Sequence, residues 1–203
     1  MLQVPQPALV LASESVFRKS LLTAAQVIFE TKPARIDEAA IKQAAQSENQ
    51  TAADCALTLA HLKAKRIVAA RPDALVIGAD QILVCEGRWF DKPRSLAEAK
   101  THLRDLMGKT HELVTAMVCS RDGAQIWHHI ARPRLTMRVL SEAFLAAYLE
   151  AEGEMLTQTV GAYRLEGLGI HLFDRIEGEH SAIIGLPLLP LLGFLRQHGV
   201  IMG

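Results

Sequence analysis

Ala8-Leu9-Val10-Leu11-Ala12-Ser13-Glu14-Ser15-Val16-Phe17-Arg18-Lys19 is the stretch on which the fold turns. Five apolar residues in a row read as a short strand buried on both faces, the pattern of a parallel sheet covered by helices. The seryl pair that follows marks a tight turn, and Leu21, Leu22 and Ala25 then fall at helical spacing. A chain that begins strand, turn, helix belongs to the α/β class. Arg18 and Lys19 stand in the first turns of that helix, where the dipole favours negative charge. Cations placed against the dipole point to an anionic partner at the turn.

The pattern continues outward. A loop around Lys32–Glu38 precedes a helix from Thr51 to Ala70, with Leu57, Leu59, Leu62 and Ile67 among Ala and Lys and with Pro72 as its stop. Ala74–Gly78 is a second buried strand, which runs into Ala79-Asp80-Gln81 and then Ile82-Leu83-Val84. Ser95-Leu96-Ala97-Glu98 is a capping box that opens a helix closed by Gly108. Glu112–Ser120, the Arg121-Asp122-Gly123 turn and the residues from Gln125 onward form a hairpin, and Arg134–Val139 alternates as a strand. Ser141 starts a helix to Glu152, Ile170–Phe173 is a strand, and a last helix covers Leu186–Gln197. Alternation early and hairpins late predict a mixed sheet, and no linker or repeat divides residues 1–203 into more than one domain.

Composition narrows the function. The 203 residues carry 22 Lys+Arg against 22 Asp+Glu, so the formal charge is zero. Binding to long nucleic acid or to an anionic membrane through bulk charge needs clustered cations and is not expected. Half of the residues are apolar, enough for a sizeable core without disulfides. The 3 cysteines, Cys55, Cys85 and Cys119, lie far apart with no C-x-x-C pair, which predicts a reducing, cytoplasmic setting. The N-terminus has no basic residue ahead of its apolar run, so no signal peptide is expected. The longest apolar stretch, Ala182–Leu195, is broken by Pro187 and Pro190 and is shorter than the ~20 residues of a membrane span.

Four polar clusters are candidates for chemistry. Ser13, Ser15 and Arg18 sit where free backbone N–H groups, hydroxyls and a guanidinium could hold phosphate oxygens; an ordinary capped helix reads as well. Asp37-Glu38 and Asp80 are carboxylates of the kind that bind Mg²⁺; taken singly Asp37-Glu38 reads as a solvated turn or cap, and Asp80 is the more telling because an apolar strand surrounds it. Lys63 and Lys92-Pro93 supply further cations. Gly161-Ala162-Tyr163-Arg164-Leu165-Glu166-Gly167-Leu168-Gly169 is rich enough in glycine to let backbone approach a ligand, although a plain bulged loop would also explain it.

In order and wording these clusters resemble the Maf family of nucleoside triphosphate pyrophosphatases. The matching segments are Leu11-Ala12-Ser13-Glu14-Ser15-Val16-Phe17-Arg18, Asp37-Glu38, Leu59-Ala60-His61-Leu62-Lys63-Ala64, Gly78-Ala79-Asp80, Lys92-Pro93, Gly108-Lys109-Thr110-His111 with Thr115, Gly161-Ala162-Tyr163 and Gly185-Leu186-Pro187. The resemblance implies a Maf/inosine-triphosphatase-like fold, an elongated mixed sheet flanked by helices with two lobes around a central cleft, and a possible homodimer. It implies hydrolysis between the α- and β-phosphates with a divalent metal, Mg²⁺ or else Mn²⁺ or Co²⁺. Asp80 would accept the proton of the attacking water, and Glu38 would bind metal or water, making Glu38 and Asp80 the metal ligands. Ser13, Arg18, Lys63 and Lys92 would neutralise the phosphates.

Three positions separate branches of that family. Phe17, Gln81 and Glu166 resemble the branch acting on 7-methyl-GTP rather than the one acting on dTTP and UTP. An aromatic face attracts the cationic methylated base by roughly 0.5–2 kcal/mol. A Glu166 carboxylate can accept hydrogen bonds from guanine N1–H and N2–H but would oppose a pyrimidine carbonyl. Val16, Lys19 and Val160 depart from the family's usual Pro, Arg and Ala, and Phe17 replaces the commoner Trp of this branch. Two other readings stand beside this one: a dTTP/UTP or broad noncanonical-nucleotide pyrophosphatase, and a nucleotide-sensing regulator of septum formation.

Overall fold

The computed structural model describes residues 3–203. Its strands are β1 (Leu9–Leu11), β2 (Glu30–Thr31), β3 (Leu75–Cys85), β4 (Arg88–Phe90), β5 (Thr110–Arg121), β6 (Ala124–Ala131), β7 (Arg134–Met137) and β8 (Phe173–Glu177). Its α-helices are α1 (Val16–Ala24), α2 (Glu38–Ser47), α3 (Ala52–Val68), α4 (Leu96–Leu106), α5 (Glu142–Glu152), α6 (His180–Ile184) and α7 (Leu188–Gln197). The strands form an 8-stranded sheet in the order β2-β1-β3-β5-β7-β8, with β4 paired to β3 and β6 to β5. β1 is parallel to β2 and β3, because helices intervene in the chain; β3–β4, β5–β6, β5–β7 and β7–β8 are antiparallel. The mixed α/β sheet flanked by helices is the class expected from the alternation of buried runs and helical spacing. No helix among the described residues is long and apolar enough to cross a membrane, and Cys55, Cys85 and Cys119 are buried and not joined in disulfides.

The residues group into two compact units: one of those up to Asp80 with Thr115–Ala131 and Glu179–Gly203, the other of Gln81–Val114 and Arg132–Gly178. In the first unit β3 presents Leu75, Ile77 and Ala79 to a core that includes Leu22 of α1, Met117 of β5 and Phe194 and Leu195 of α7. The alternate residues Val76, Gly78 and Asp80 face the other way, toward α3, as the two-residue period of a strand requires. Trp127 of β6 closes this core by stacking on Phe194, with ring centroids 4.9 Å apart.

In the second unit Ser95 caps α4 by accepting from Glu98 N at 3.2 Å, while the Glu98 carboxylate reaches back to Arg94 N at 2.7 Å, one residue before the cap itself. Ser141 caps α5 through Phe144 N at 3.2 Å. His111 and Tyr163 share a buried hydrogen bond of 2.8 Å and pack with Phe173. These two motif residues thus have a structural partner in each other.

Four elements differ from the sequence reading. Asp37-Glu38 is not a loop: Asp37 caps α2 by accepting from Ala40 N at 3.0 Å, and Glu38 is the first residue of that helix. Its sparse apolar face, with Ala45 alone buried, left the helix without a visible period. The strand ending at Gly78 continues unbroken through Asp80 to Cys85, because Asp80 finds a partner in the interior. Leu168–Leu172 is a 3₁₀ turn rather than a strand, and β8 starts only at Phe173. The last helix begins at Leu188, after a separate α6 that ends at the left-handed Gly185 (φ +116°).

Burial lowers the His111 pKa from its ordinary 6.5 to about 4. Below 6.5 the unfolded chain takes up a proton that the folded protein refuses until about pH 4, so stability falls with pH across that window. Urea titrations between pH 7 and 4 are expected to show that slope, and His111→Phe is expected to make it shallower.

Candidate active site

The first unit holds six of the candidate residues, Ser13, Phe17, Arg18, Glu38, Lys63 and Asp80. The turn after β1 is built on Ser13, whose buried hydroxyl accepts from Ser15 N at 3.1 Å and from Arg18 Nη1 at 3.4 Å. Ser15 is the N-cap of α1, accepting from Arg18 N at 3.3 Å. The S-x-S-x-x-R spacing is therefore one mechanical unit: the first serine closes the turn, the second starts the helix, and the arginine, one turn on, leans back over the first. No acidic residue occupies the first turn of α1, which leaves its positive end available to an anion.

Arg18 is aimed from its other side by the Gly185 carbonyl, which accepts from Nε at 2.8 Å. Gly185 occupies the left-handed region, and a Cβ there would stand 3.5 Å from the guanidinium. The segment carrying Gly185 is tied to the sheet through Thr115, whose hydroxyl donates to Ala182 O at 2.9 Å. Burial lowers the Arg18 pKa, opposed by the charges of Asp80 and Glu38, and the guanidinium stays charged.

The centre of the site is a three-charge cluster. Lys63 Nζ lies 2.6 Å from Asp80 Oδ1 and 2.7 Å from Glu38 Oε1. The Lys63 and Asp80 side chains are 9% and 6% exposed, against 45% for Glu38. Three elements meet to make it: the first residue of α2, the buried face of α3, and the middle of β3. Gly78 is what lets α3 come this close, since a Cβ there would lie 2.1 Å from the Ala60 carbonyl oxygen and 3.0 Å from the Ala64 methyl. Ala60 and Ala64, one turn apart, flank Lys63 on the same buried face. Small residues on both sides of the contact thus bring lysine and aspartate within hydrogen-bond reach.

Electrostatics follow from that packing. Burial raises the Glu38 pKa, but the charge and hydrogen bond of Lys63, with Lys42 and Arg18, outweigh it and the net shift is downward. Asp80 Oδ2 is buried and has no hydrogen-bond partner. Such an oxygen typically costs about 1–3 kcal/mol, and it marks the place in this cluster where a ligand, water or cation would bind. The donor set is carboxylate oxygen only, and among the described residues no group of three or more His, Cys, Asp or Glu is placed to hold a metal. The two carboxylates share the Lys63 ammonium; oxygen donors of this kind could hold a hard cation such as Mg²⁺, which takes one or two carboxylates and fills its other positions with water and phosphate.

Phe17 is half-buried on α1. The remaining candidates belong to the second unit: Gln81 follows Asp80 on β3, Lys92 is exposed between β4 and α4, and Glu166 is exposed at the turn before the 3₁₀ segment. Glu179 was not singled out by the sequence reading. Its carboxylate accepts from Leu188 N and Leu189 N, both at 3.0 Å, and from the Ser181 hydroxyl. The signal was the start of α7 itself: Pro187 stands at its N-cap with no side-chain oxygen to offer, so the first turn needs an acceptor from elsewhere.

A family described as Maf-like protein matches residues 8–198. A nucleoside triphosphate pyrophosphatase of Granulibacter bethesdensis is 54% identical over 190 residues, 94% of this chain and 96% of that protein. Another of that name, from Rhodospirillum rubrum, is 50% identical over 97% of each chain. A 7-methyl-GTP pyrophosphatase of Rhizobium etli is 46% identical over 97% of this chain and 99% of its own.

Two substitutions test the cluster. Lys63→Ala strands a buried carboxylate and is expected to cost about 3–5 kcal/mol in urea unfolding at neutral pH. Gly78→Ala forces α3 away from β3 and is expected to cost at least ~1–3 kcal/mol. A thermal or urea midpoint unchanged in Gly78→Ala would show that α3 has room to yield.

Proposed function

This chain belongs to the family of Maf-like proteins, and we propose that it hydrolyses a nucleoside triphosphate to the monophosphate and pyrophosphate, with 7-methyl-GTP as its preferred substrate. The observation that carries the reading is the Glu38–Lys63–Asp80 cluster, with its unpartnered Asp80 oxygen, in the same unit as the Ser13–Arg18 turn.

Hydrolysis breaks the P–O bond between the α- and β-phosphates. Water contributes hydroxide to the α-phosphorus, the bridging oxygen leaves with pyrophosphate, and the water's proton must go to a base. Asp80 is the group for that task, since its second carboxylate oxygen has no partner to compete for the proton. Phosphoryl transfer is accelerated chiefly by position and by charge stabilisation. Ser13 and Arg18, held by each other and by Gly185, offer a hydroxyl and a guanidinium to the phosphate chain without having to reorganise. Lys63 pairs with both Glu38 and Asp80 in the free protein, and a triphosphate supplies competing oxygens to which its ammonium can turn. Lys92 is the further phosphate-binding cation of this reading. A divalent cation, which Glu38 and Asp80 would hold, supplies Lewis-acid charge to the phosphate oxygens when bound.

Support for the methylated base is the trio Phe17, Gln81 and Glu166 together with the name of the Rhizobium etli relative. Phe17 offers a π-face to the cationic ring, and Glu166 is an acceptor for guanine N–H groups.

Pyrophosphate release measured on 7-methyl-GTP, GTP, UTP and dTTP is expected to give the highest kcat/KM for the first. Faster turnover of UTP and dTTP would remove the base assignment and leave the reaction. Asp80→Asn is expected to keep nucleotide affinity and to lower kcat by at least ~100-fold; full activity in that variant would overturn the mechanism.

A further inference from the structure

The glycine-rich turn of the second unit is held by a partly buried ion pair that the reaction chemistry does not need. Glu152 is the last residue of α5, and its side chain is 6% exposed. One carboxylate oxygen accepts from Arg164 Nη1 at 3.1 Å and the other from Leu168 N at 3.0 Å. Glu152 therefore grips both ends of the segment Arg164–Leu168, which also closes on itself through Gly167 N to Arg164 O at 3.3 Å. The glycines here are spaces for protein atoms. A Cβ at Gly167 would stand 2.8 Å from Glu152 Oε1, and one at Gly169 would stand 2.3 Å from the Arg164 carbonyl oxygen.

At the tip of this gripped turn, Glu166 is exposed. A surface turn can be closed by backbone hydrogen bonds alone. Burying a carboxylate to hold one is costly unless the charge is paired and bonded, as it is here. The Arg164 Nε remains buried without a partner, so the arrangement is not the most stable one for its own sake. What the grip holds is the backbone on either side of Glu166.

We propose that Glu152 and Arg164 act as a clamp that positions Glu166, so that selection of the nucleotide base depends on an ion pair behind the turn. This rests on the reading of Glu166 as the group that recognises the base. Glu152 is then a positioning residue: it holds the turn that carries Glu166 and does not itself act on substrate.

The test compares kcat/KM for 7-methyl-GTP with that for UTP in the wild type, Glu152→Ala, Glu166→Gln and the double variant, with kcat and KM resolved. Glu152→Ala is expected to lower the ratio by roughly tenfold or more, mainly through KM for 7-methyl-GTP, since a misplaced contact of about 1 Å has effects of that size. The double variant is expected to fall no further than Glu166→Gln alone. A purely structural role would reduce both substrates together and leave the ratio where it was. A ratio unchanged in Glu152→Ala, or a further tenfold fall in the double variant beyond Glu166→Gln, overturns the clamp. Gly167→Ala pushes a methyl group against the Glu152 carboxylate without removing a charge; it is expected to lower the ratio in the same way and serves if Glu152→Ala does not fold. An unchanged ratio in Glu166→Gln has a different meaning, because it removes the base-reading role of Glu166 and the clamp's function with it.

Discussion

The contact on which the first unit depends is the Lys63 ammonium held between the Asp80 and Glu38 carboxylates. A lysine and an aspartate this deeply buried are each costly, and only their mutual pairing makes either tolerable in the interior. The pairing has a geometric precondition, the approach of α3 to β3, which a single methyl group at Gly78 would prevent. Helix packing, strand continuity and charge placement are therefore one constraint. β3 runs through Asp80 without a break because the carboxylate has a partner, and the partner is in reach because the strand carries glycine two residues earlier.

The cluster is charge-balanced only in part. One ammonium faces two carboxylates, one Asp80 oxygen is left over, and the Arg18 guanidinium is near enough to be felt by both acids. An arrangement of this kind is stable yet responsive, since an incoming polyanion or cation can exchange partners with charges already in place rather than draw them from solvent. The zero formal charge of the chain conceals this polarity, because cations and anions are sorted within a few ångströms of one another.

Several motif residues have work other than touching a ligand. His111 and Tyr163 bond each other in the interior, Thr115 ties α6 to the sheet, and Gly185 turns its carbonyl toward Arg18. In the glycine-rich segment, backbone comes close to protein atoms, with Gly167 against Glu152 and Gly169 against Arg164. Of the two readings that glycine density allows, close approach to a ligand or a tightly folded turn, these contacts express the second. Most of these motif residues hold one another or the backbone in place.

From the sequence alone, the mixed α/β class, the strand–turn–helix at Ser13 and the helix starts at Thr51, Ser95 and Ser141 were legible, because local spacing and side-chain chemistry determine them. Glu38 was legible as a candidate but not as the start of a helix, since α2 buries so little that it carries no apolar period. The capping of α7 by Glu179 and the grip of Glu152 on the turn around Glu166 were not legible. Each joins residues nine or more positions apart through a side chain whose local neighbours give no hint of its partner. The joining of Lys63 to Asp80 was decided only by the tertiary structure, for a reason that lies in neither residue: what permits it is the absence of a side chain at Gly78, opposite Ala60.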